Sequence, residues 1–191
     1  MHRFISARGA LISATALVLL LLITTARTGA VSGARTIQVR DDCDPATFNA
    51  ALGAGTCVGN GGTTFEEFNA ELASTQKVGS WKFNPHKFKI DAGERTLLEN
   101  RGGEFHTFTK VAEFGGGIVQ PLNDLSGTPV PTPECILAFL GGPSATNFFL
   151  NPGQRLSGPT AGTAALPVGV SKYQCCIHPW MKTTVEVRHQ H

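Results

Sequence analysis

The chain has 191 residues, of which 41% are hydrophobic and 16% are charged. This length and composition suit one ordinary domain with extensions, and they exclude a membrane channel or a disordered tail. The formal net charge is +2, but three of the 16 basic residues and none of the 14 acidic residues lie in the first thirty positions. The remainder therefore carries 13 basic residues against 14 acidic ones, and lacks the concentrated basic face of a nucleic-acid-binding protein.

Residues 1–30 have the pattern of a secretory signal peptide. Arg3 and Arg8 precede an uncharged, leucine-rich run, and small residues follow it. This pattern predicts export to the periplasm or the medium, with cleavage after Ala30 or Ala34. The alternative is an uncleaved N-terminal anchor, because the apolar run approaches the length that crosses a bilayer. We expect a membrane contact only through such an anchor.

Five cysteines in an exported chain predict disulfides and leave one thiol unpaired. Cys43 and Cys57 are the natural first pair, since they close a fifteen-residue loop worth about 3 kcal/mol in chain entropy. Cys135 with Cys176 is one option for the second pair, because connectivity cannot be read from sequence. Cys175 is the thiol that we reserve for a metal.

Residues 31–77 predict a leader followed by a short helical extension. The first ten of them are polar and contain glycine. Asp44 and Pro45 form a helix N-cap and first-turn pair, and Thr64 with Glu67 forms a capping box. Three apolar residues then recur at helical spacing, and we expect them to pack against the main domain rather than to bind a ligand: Phe65, Phe68 and Leu72.

Residues 78–188 consist of short β-type runs separated by Gly, Pro and Asn, and residues 189–191 form a polar tail. The number and spacing of the runs predict an all-β fold, an antiparallel β-sandwich. A proline-rich connection spans residues 121–133. The predicted strands are 81–83, 88–90, 95–99, 104–111, 135–140, 147–150, 154–156, 170–176 and 183–187.

The side chains with the clearest chemistry lie near the C-terminus. Cys175, His178 and Met181 are each separated by two residues, and they offer the soft and borderline donors that copper prefers. A blue-copper site also needs a second histidine, and His106 lies in an alternating strand far upstream. Two imidazoles and the thiolate would form a trigonal plane, with the thioether as a distant axial ligand. Spacing and strand alternation favour Cys175 over its neighbour Cys176 as the thiolate.

The segment that carries these ligands resembles the C-terminal end of cupredoxins, the type 1 blue copper proteins. Its short ligand loop is most similar to that of the amicyanin and plastocyanin group. The matching residues are Tyr173-Gln174-Cys175, then His178-Pro179-Trp180-Met181, then the strand 183–187. The resemblance covers residues 78–188, and it implies a Greek-key sandwich that binds one type 1 copper ion. It also implies the ligands His106, Cys175, His178 and Met181.

The resemblance further implies that the loop histidine reaches the surface, so that a redox partner protein docks near Pro179 and Trp180. Three features depart from the family pattern. Thr107 replaces the Asn that commonly braces the ligand loop, and a hydroxyl could brace it less well. Cys176 stands where Ser or Thr is common. Residues 41–77 exceed a minimal cupredoxin and have no family role.

These observations predict an exported protein that carries single electrons between redox partners and is not an enzyme. Multicopper oxidases and copper nitrite reductases need further histidines, usually as His-x-His pairs, and this chain has that pattern only at His189-Gln190-His191. One alternative is copper storage or delivery in the cell envelope with the same ligands. Another is a metal-free sandwich held by disulfides and used in assembly.

Overall fold

A computed structural model describes residues 34–189, so the predicted signal peptide and the last two residues of the tail lie outside the described part. The strands are β1 (Arg35–Arg40), β2 (Lys82–Asn84), β3 (Lys87–Asp91), β4 (Arg95–Asn100), β5 (His106–Val111), β6 (Asn147–Leu150), β7 (Arg155–Thr160), β8 (Gly169–Gln174) and β9 (Lys182–Arg188). The helices are α1 (Pro45–Leu52), α2 (Phe65–Thr75), α3 (Gln120–Leu125) and α4 (Pro133–Gly141). Within residues 34–189, no helix combines the length and apolarity that a bilayer crossing requires.

The strands form two sheets, which confirms the predicted sandwich. Their orders are β2-β1-β4-β7 and β3-β9-β8-β5-β6. Most neighbouring strands are antiparallel, but β1 with β4 and β3 with β9 are parallel, so the predicted antiparallel pattern is mixed at these two pairs. The buried side chains of both sheets form one core, where Phe83 of the first sheet meets Phe108 of the second with ring centroids 5.3 Å apart.

The end of the predicted leader is a strand. Arg35–Arg40 pairs with β2 on one side and with β4 on the other. Ile37 and Val39 are fully buried between polar neighbours, which is the alternation of a strand with one face on a core. The prediction of a leader was wrong for these residues because only two apolar positions mark the strand.

The predicted strand 135–140 is instead the helix α4. The hydroxyl of Thr132 accepts a hydrogen bond from the Cys135 N–H, and Pro133 occupies the first turn. An apolar run of six residues does not distinguish a strand from a buried helix, so the cap and the proline decide the outcome. The proline-rich connection likewise contains the short helix α3.

The two predicted N-terminal helices are confirmed with their caps. Asp44 accepts a hydrogen bond from the Thr47 N–H at the start of α1. Both hydrogen bonds of the capping box between Thr64 and Glu67 are present at the start of α2. Phe68 and Leu72 are buried in the core that the two sheets share, so these helices belong to the same core as residues 78–188.

Two disulfides hold the segments around the ligand loop. Cys43 bonds Cys57, and Cys135 bonds Cys176, which confirms the first pairing and the option for the second. Cys175 is free and buried. The second bridge ties α4 to the residue that follows the predicted thiolate ligand.

Because α2 is part of the core, Leu72→Ala should destabilise the protein by about 2 to 5 kcal/mol, the range for a large-to-small change at a fully buried position. Leu52→Ala is the matched control, since Leu52 ends α1 with 53% of its surface exposed, and it should cost less than about 0.5 kcal/mol. Urea denaturation measures both free energies of unfolding. Equal effects would contradict the placement of α2 in the core.

Candidate metal centre

Neighbouring strands bring the distant histidine to the ligand loop. β5 and β8 pair antiparallel with Thr109 opposite Gln174, and the start of β5 therefore lies beside the loop that follows β8. His106 is the first residue of β5, and Cys175 is the first residue after β8. Strand register thus brings together two predicted ligands that lie far apart in the sequence.

Backbone hydrogen bonds fold the ligand loop back on itself. The N–H of Cys175 donates to the carbonyl of Met181 at 3.0 Å, and the N–H of Met181 donates to the carbonyl of His178 at 2.9 Å. The end of the loop at Met181 therefore lies beside its beginning at Cys175, just before β9 starts. This closure keeps the three loop residues at one end of the sandwich.

The donor atoms of His106, Cys175 and His178 converge in the buried interior. The Sγ of Cys175 lies 3.8 Å from the Nδ1 of His106 and 3.9 Å from the Nδ1 of His178. All three donor atoms lie within 4.8 Å of one another. The structure therefore brings together three of the four residues that the sequence predicts as ligands.

These distances fit a metal ion held by two nitrogens and one sulfur. Metal–nitrogen and metal–sulfur bonds of about 2.0 and 2.3 Å in a trigonal plane place nitrogen and sulfur about 3.7 Å apart. The observed separations of 3.8 and 3.9 Å are close to that value. Imidazole and thiolate donors in a His₂Cys plane suit copper. Met181 is buried in the same core cluster as Cys175, and its role as the axial ligand stays a prediction.

The carboxylate of Asp41, which was not predicted from the sequence, contacts the outer nitrogen of His106. The Oδ2 of Asp41 lies 2.7 Å from the Nε2 of His106, and both side chains are fully buried. Asp41 also accepts hydrogen bonds from the backbone N–H groups of Gly103 and Glu104. A metal on Nδ1 leaves the proton on Nε2, so this imidazole would donate to Asp41 while it binds the metal.

Glycine is required where Asp41 approaches the β4–β5 connection. A Cβ atom on Gly102 would lie 1.8 Å from the Oδ2 of Asp41, and one on Gly103 would lie 2.5 Å from the backbone nitrogen of Gly59. Neither position has room for a side chain. The Gly102-Gly103 pair is thus the sequence signal that a segment packs closely against this turn.

A second buried carboxylate, Glu104, lies beside His178. Its Oε2 accepts a hydrogen bond from the indole N–H of Trp81 at 2.5 Å and lies 3.6 Å from the Nε2 of His178. Glu104 precedes His106 by two residues, so strand alternation could have found it on the same face. Nothing in the sequence around Asp41 marks it in this way, because its partner is 65 residues away.

Thr107 braces the ligand loop through its hydroxyl, as predicted for this position. Its hydroxyl accepts a hydrogen bond from the Cys176 N–H at 2.8 Å. Its own N–H points to the Sγ of Cys175 at 3.5 Å. A donor to sulfur stabilises a thiolate, so Thr107 contacts both the backbone of the loop and the predicted thiolate.

The metal-free site favours an ion pair of imidazolium and thiolate. Burial opposes the charge on His106, but the hydrogen bonds with Asp41 and Cys175 raise its pKa to about 10. Burial likewise opposes the thiolate, yet the two histidines hold the pKa of Cys175 well below its usual range. Burial opposes the charge on Asp41, but the contact with His106 and the backbone hydrogen bonds from Gly103 and Glu104 together lower its pKa. Proton and metal therefore compete for the same nitrogen and sulfur atoms.

The expectation that His178 reaches the surface was wrong. His178 is 3% exposed and Pro179 is buried. The ring of Phe68 packs edge-on against His178 with centroids 6.3 Å apart, and the ring of Trp180 does so at 5.4 Å. Trp180 is half-buried, so it is the loop aromatic residue that reaches solvent.

The pKa values predict a plateau in the stability of the metal-free protein between about pH 6.5 and 9.0, the ordinary values of His106 and Cys175. In this range the folded state carries its proton on the imidazole and the unfolded state carries one on the thiol, so stability does not change with pH. Below pH 6.5 the unfolded state binds the extra proton, and stability falls as pH falls. Above pH 9.0 only the folded state keeps a proton, up to about pH 10, and stability falls as pH rises.

Denaturation over a series of pH values measures this profile. A change of stability with pH between about 6.5 and 9.0 in the metal-free protein would contradict the ion pair.

No protein-family model and no curated protein matches this sequence. Among solved structures, a purple cupredoxin from Nitrosopumilus maritimus aligns over 81% of this chain and 99% of its own, with 16% identity and a TM-score of 0.40. An amicyanin from Paracoccus versutus aligns over 59% and 77%, with 17% identity and a TM-score of 0.34. A copper-containing nitrite reductase from Thermus scotoductus aligns over 58% of this chain and 21% of its own, with 20% identity and a TM-score of 0.33.

These TM-scores lie below 0.5, so the fold is assigned from the strands and side chains of this chain. The two sheets enclose one core, and the loop between β8 and β9 brings a cysteine and a histidine to a histidine of β5. By this architecture the chain has a cupredoxin-like fold.

Proposed function

We propose that this chain is an exported mononuclear type 1 copper protein that carries single electrons between redox partners. The observation that carries the proposal is the buried convergence of two imidazole nitrogens on one free thiol. The other four cysteines form disulfides, so Cys175 alone is left as a thiolate donor. Met181 completes the proposed set of four ligands.

Copper in this site would supply a one-electron couple. The protein supplies the frame around it: strand β5 and the closed loop hold the donors, and Asp41 and Glu104 lie at the outer nitrogens of the two imidazoles. Because these partners are themselves buried and hydrogen-bonded, the imidazole rings have little freedom to turn when the charge of the centre changes. A site that moves little during electron transfer suits a carrier.

The redox partner belongs to the same proposal. Trp180 contacts His178 and is half-buried, so it links the buried ligand to the surface. A partner protein would dock at this residue, and Pro179 would support it from inside. Export is supported by the N-terminal pattern and by the two disulfides, since such bonds persist in oxidising compartments.

The alternatives fit the site less well. Copper delivery needs ligands that an acceptor can reach, and all three donors here are buried. A metal-free structural sandwich gives no reason for the convergence of a free thiol and two imidazoles. The proposal also makes the chain a carrier rather than an enzyme. In the described residues, the second group of close metal-binding side chains is Asp41, Glu104 and His106, and it shares His106 with the first.

The copper-loaded protein should bind one copper ion and show the intense visible absorption of a thiolate–copper bond. The absorption should vanish in Cys175→Ala, because the thiolate is its origin. His86→Ala is the matched control, since His86 is an exposed histidine outside the site, and it should keep the full absorption. A protein that holds one equivalent of copper without this band would overturn the proposal.

Asp41→Asn should raise the reduction potential of the copper-loaded protein. The carboxylate strengthens His106 as a donor and thereby favours the oxidised ion, and loss of such a partner costs about 10- to 100-fold in metal affinity. If only the oxidised ion is bound more weakly, the reduction potential rises by about 60 to 120 mV. Voltammetry measures the shift. Asp42→Asn is the matched control, because Asp42 is the exposed neighbour, and a shift of equal size there would exclude the specific role of Asp41.

A further inference from the structure

An apolar cleft with a volume of about 420 Å³ opens over the buried ligand His178. Helices α1 and α2 form one wall, and α3 forms the opposite wall. The aromatic side chains of the lining are Phe48, Phe65, Phe68 and Phe105. This volume lies within the range of about 300 to 1,000 Å³ that small-molecule sites occupy.

The lining of this cleft contains one carboxyl side chain and no lysine or arginine. Its titratable side chains are Glu104 and His178, and Glu104 is 5% to 7% exposed. A second buried carboxylate, Asp41, lies behind it on His106. In the described residues, neither carboxylate forms an ion pair with a lysine or an arginine; their ionic partners are the two imidazoles.

A buried carboxylate that has no lysine or arginine beside it favours a cation as its neighbour. The aromatic rings of the cleft favour the same charge, because their faces attract cations.

We propose that this cleft binds a small aromatic ammonium compound, with the ammonium group against Glu104 and the aromatic ring among the phenylalanines. The carboxylate accepts a charge-assisted hydrogen bond from the ammonium, and the ring fills the apolar volume. The bound compound would lie in contact with the ring of His178. The proposal goes beyond electron transfer and depends on the chain's own side chains, so it can fail or succeed independently of copper.

The test uses three probes of matched shape: 4-fluorobenzylamine, 4-fluorobenzyl alcohol and 4-fluorotoluene. They differ in a single group, which is an ammonium, a hydroxyl or a methyl. Fluorine NMR titrations measure their dissociation constants on the full chain, both metal-free and loaded with diamagnetic Cu(I). We expect the ammonium compound to bind about tenfold or more tightly than the alcohol, and the alcohol more tightly than fluorotoluene.

Two variants and one control locate the binding. Leu125 lies at the rim of the cleft and is 38% exposed, so Leu125→Trp should fill the entrance and weaken binding by about tenfold or more. Leu140→Trp is the matched control, because Leu140 is 80% exposed on α4 and lies outside the lining. Glu104→Gln should lower the affinity for the ammonium to that for the alcohol.

Equal affinities for the three probes would overturn the proposal, since they would indicate an apolar cavity without charge selection. Tighter binding of the alcohol would overturn it as well. Binding that Leu140→Trp weakens as much as Leu125→Trp would place the ligand elsewhere. The Cys175→Ala absorption experiment reports on the copper centre alone, so the two proposals are tested separately.

Discussion

The hydrogen bond between Asp41 and His106 joins the parts of this protein that sequence keeps apart. Asp41 follows β1, while His106 starts β5, and the bond of 2.7 Å lies in a fully buried setting. A buried carboxylate is stable only when its oxygens are satisfied. The backbone N–H groups of Cys43, Gly103 and Glu104 supply further contacts, so the N-terminal segment, the β4–β5 connection and His106 must assemble together.

This constraint explains why the chain exceeds a minimal sandwich. β1 delivers Asp41, and the helices that follow place Phe68 over His178. His178, in the middle of the loop, is therefore enclosed by its own chain. An enclosed imidazole interacts strongly with the nearby carboxylates, because the surrounding medium has a low dielectric constant. The helices thus determine the electrostatic environment of the centre as well as its access.

The sequence predicts the ligands better than the groups around them. Cys175, His178 and Met181 are recognisable because their spacing is local, and His106 because a strand has a simple period. Asp41 could not be predicted, since its contact with His106 depends on how a distant segment packs. The helix α4 was missed for another reason: its six apolar residues suit a strand equally well, and only Thr132 and Pro133 distinguish the two. The sandwich itself was predictable from the many short strands.

The bond between Cys135 and Cys176 also bears on how the chain reaches its native oxidation state. Cys175 and Cys176 are neighbours, so either thiol could react with Cys135 in an unfolded chain. In the folded chain, Cys175 packs in the core between the sheets while Cys176 meets α4. The folded sandwich therefore favours the pairing of Cys135 with Cys176 over a pairing with Cys175. The sandwich thus favours its own native disulfide, and the thiol that it keeps buried is the one that we propose as a metal ligand.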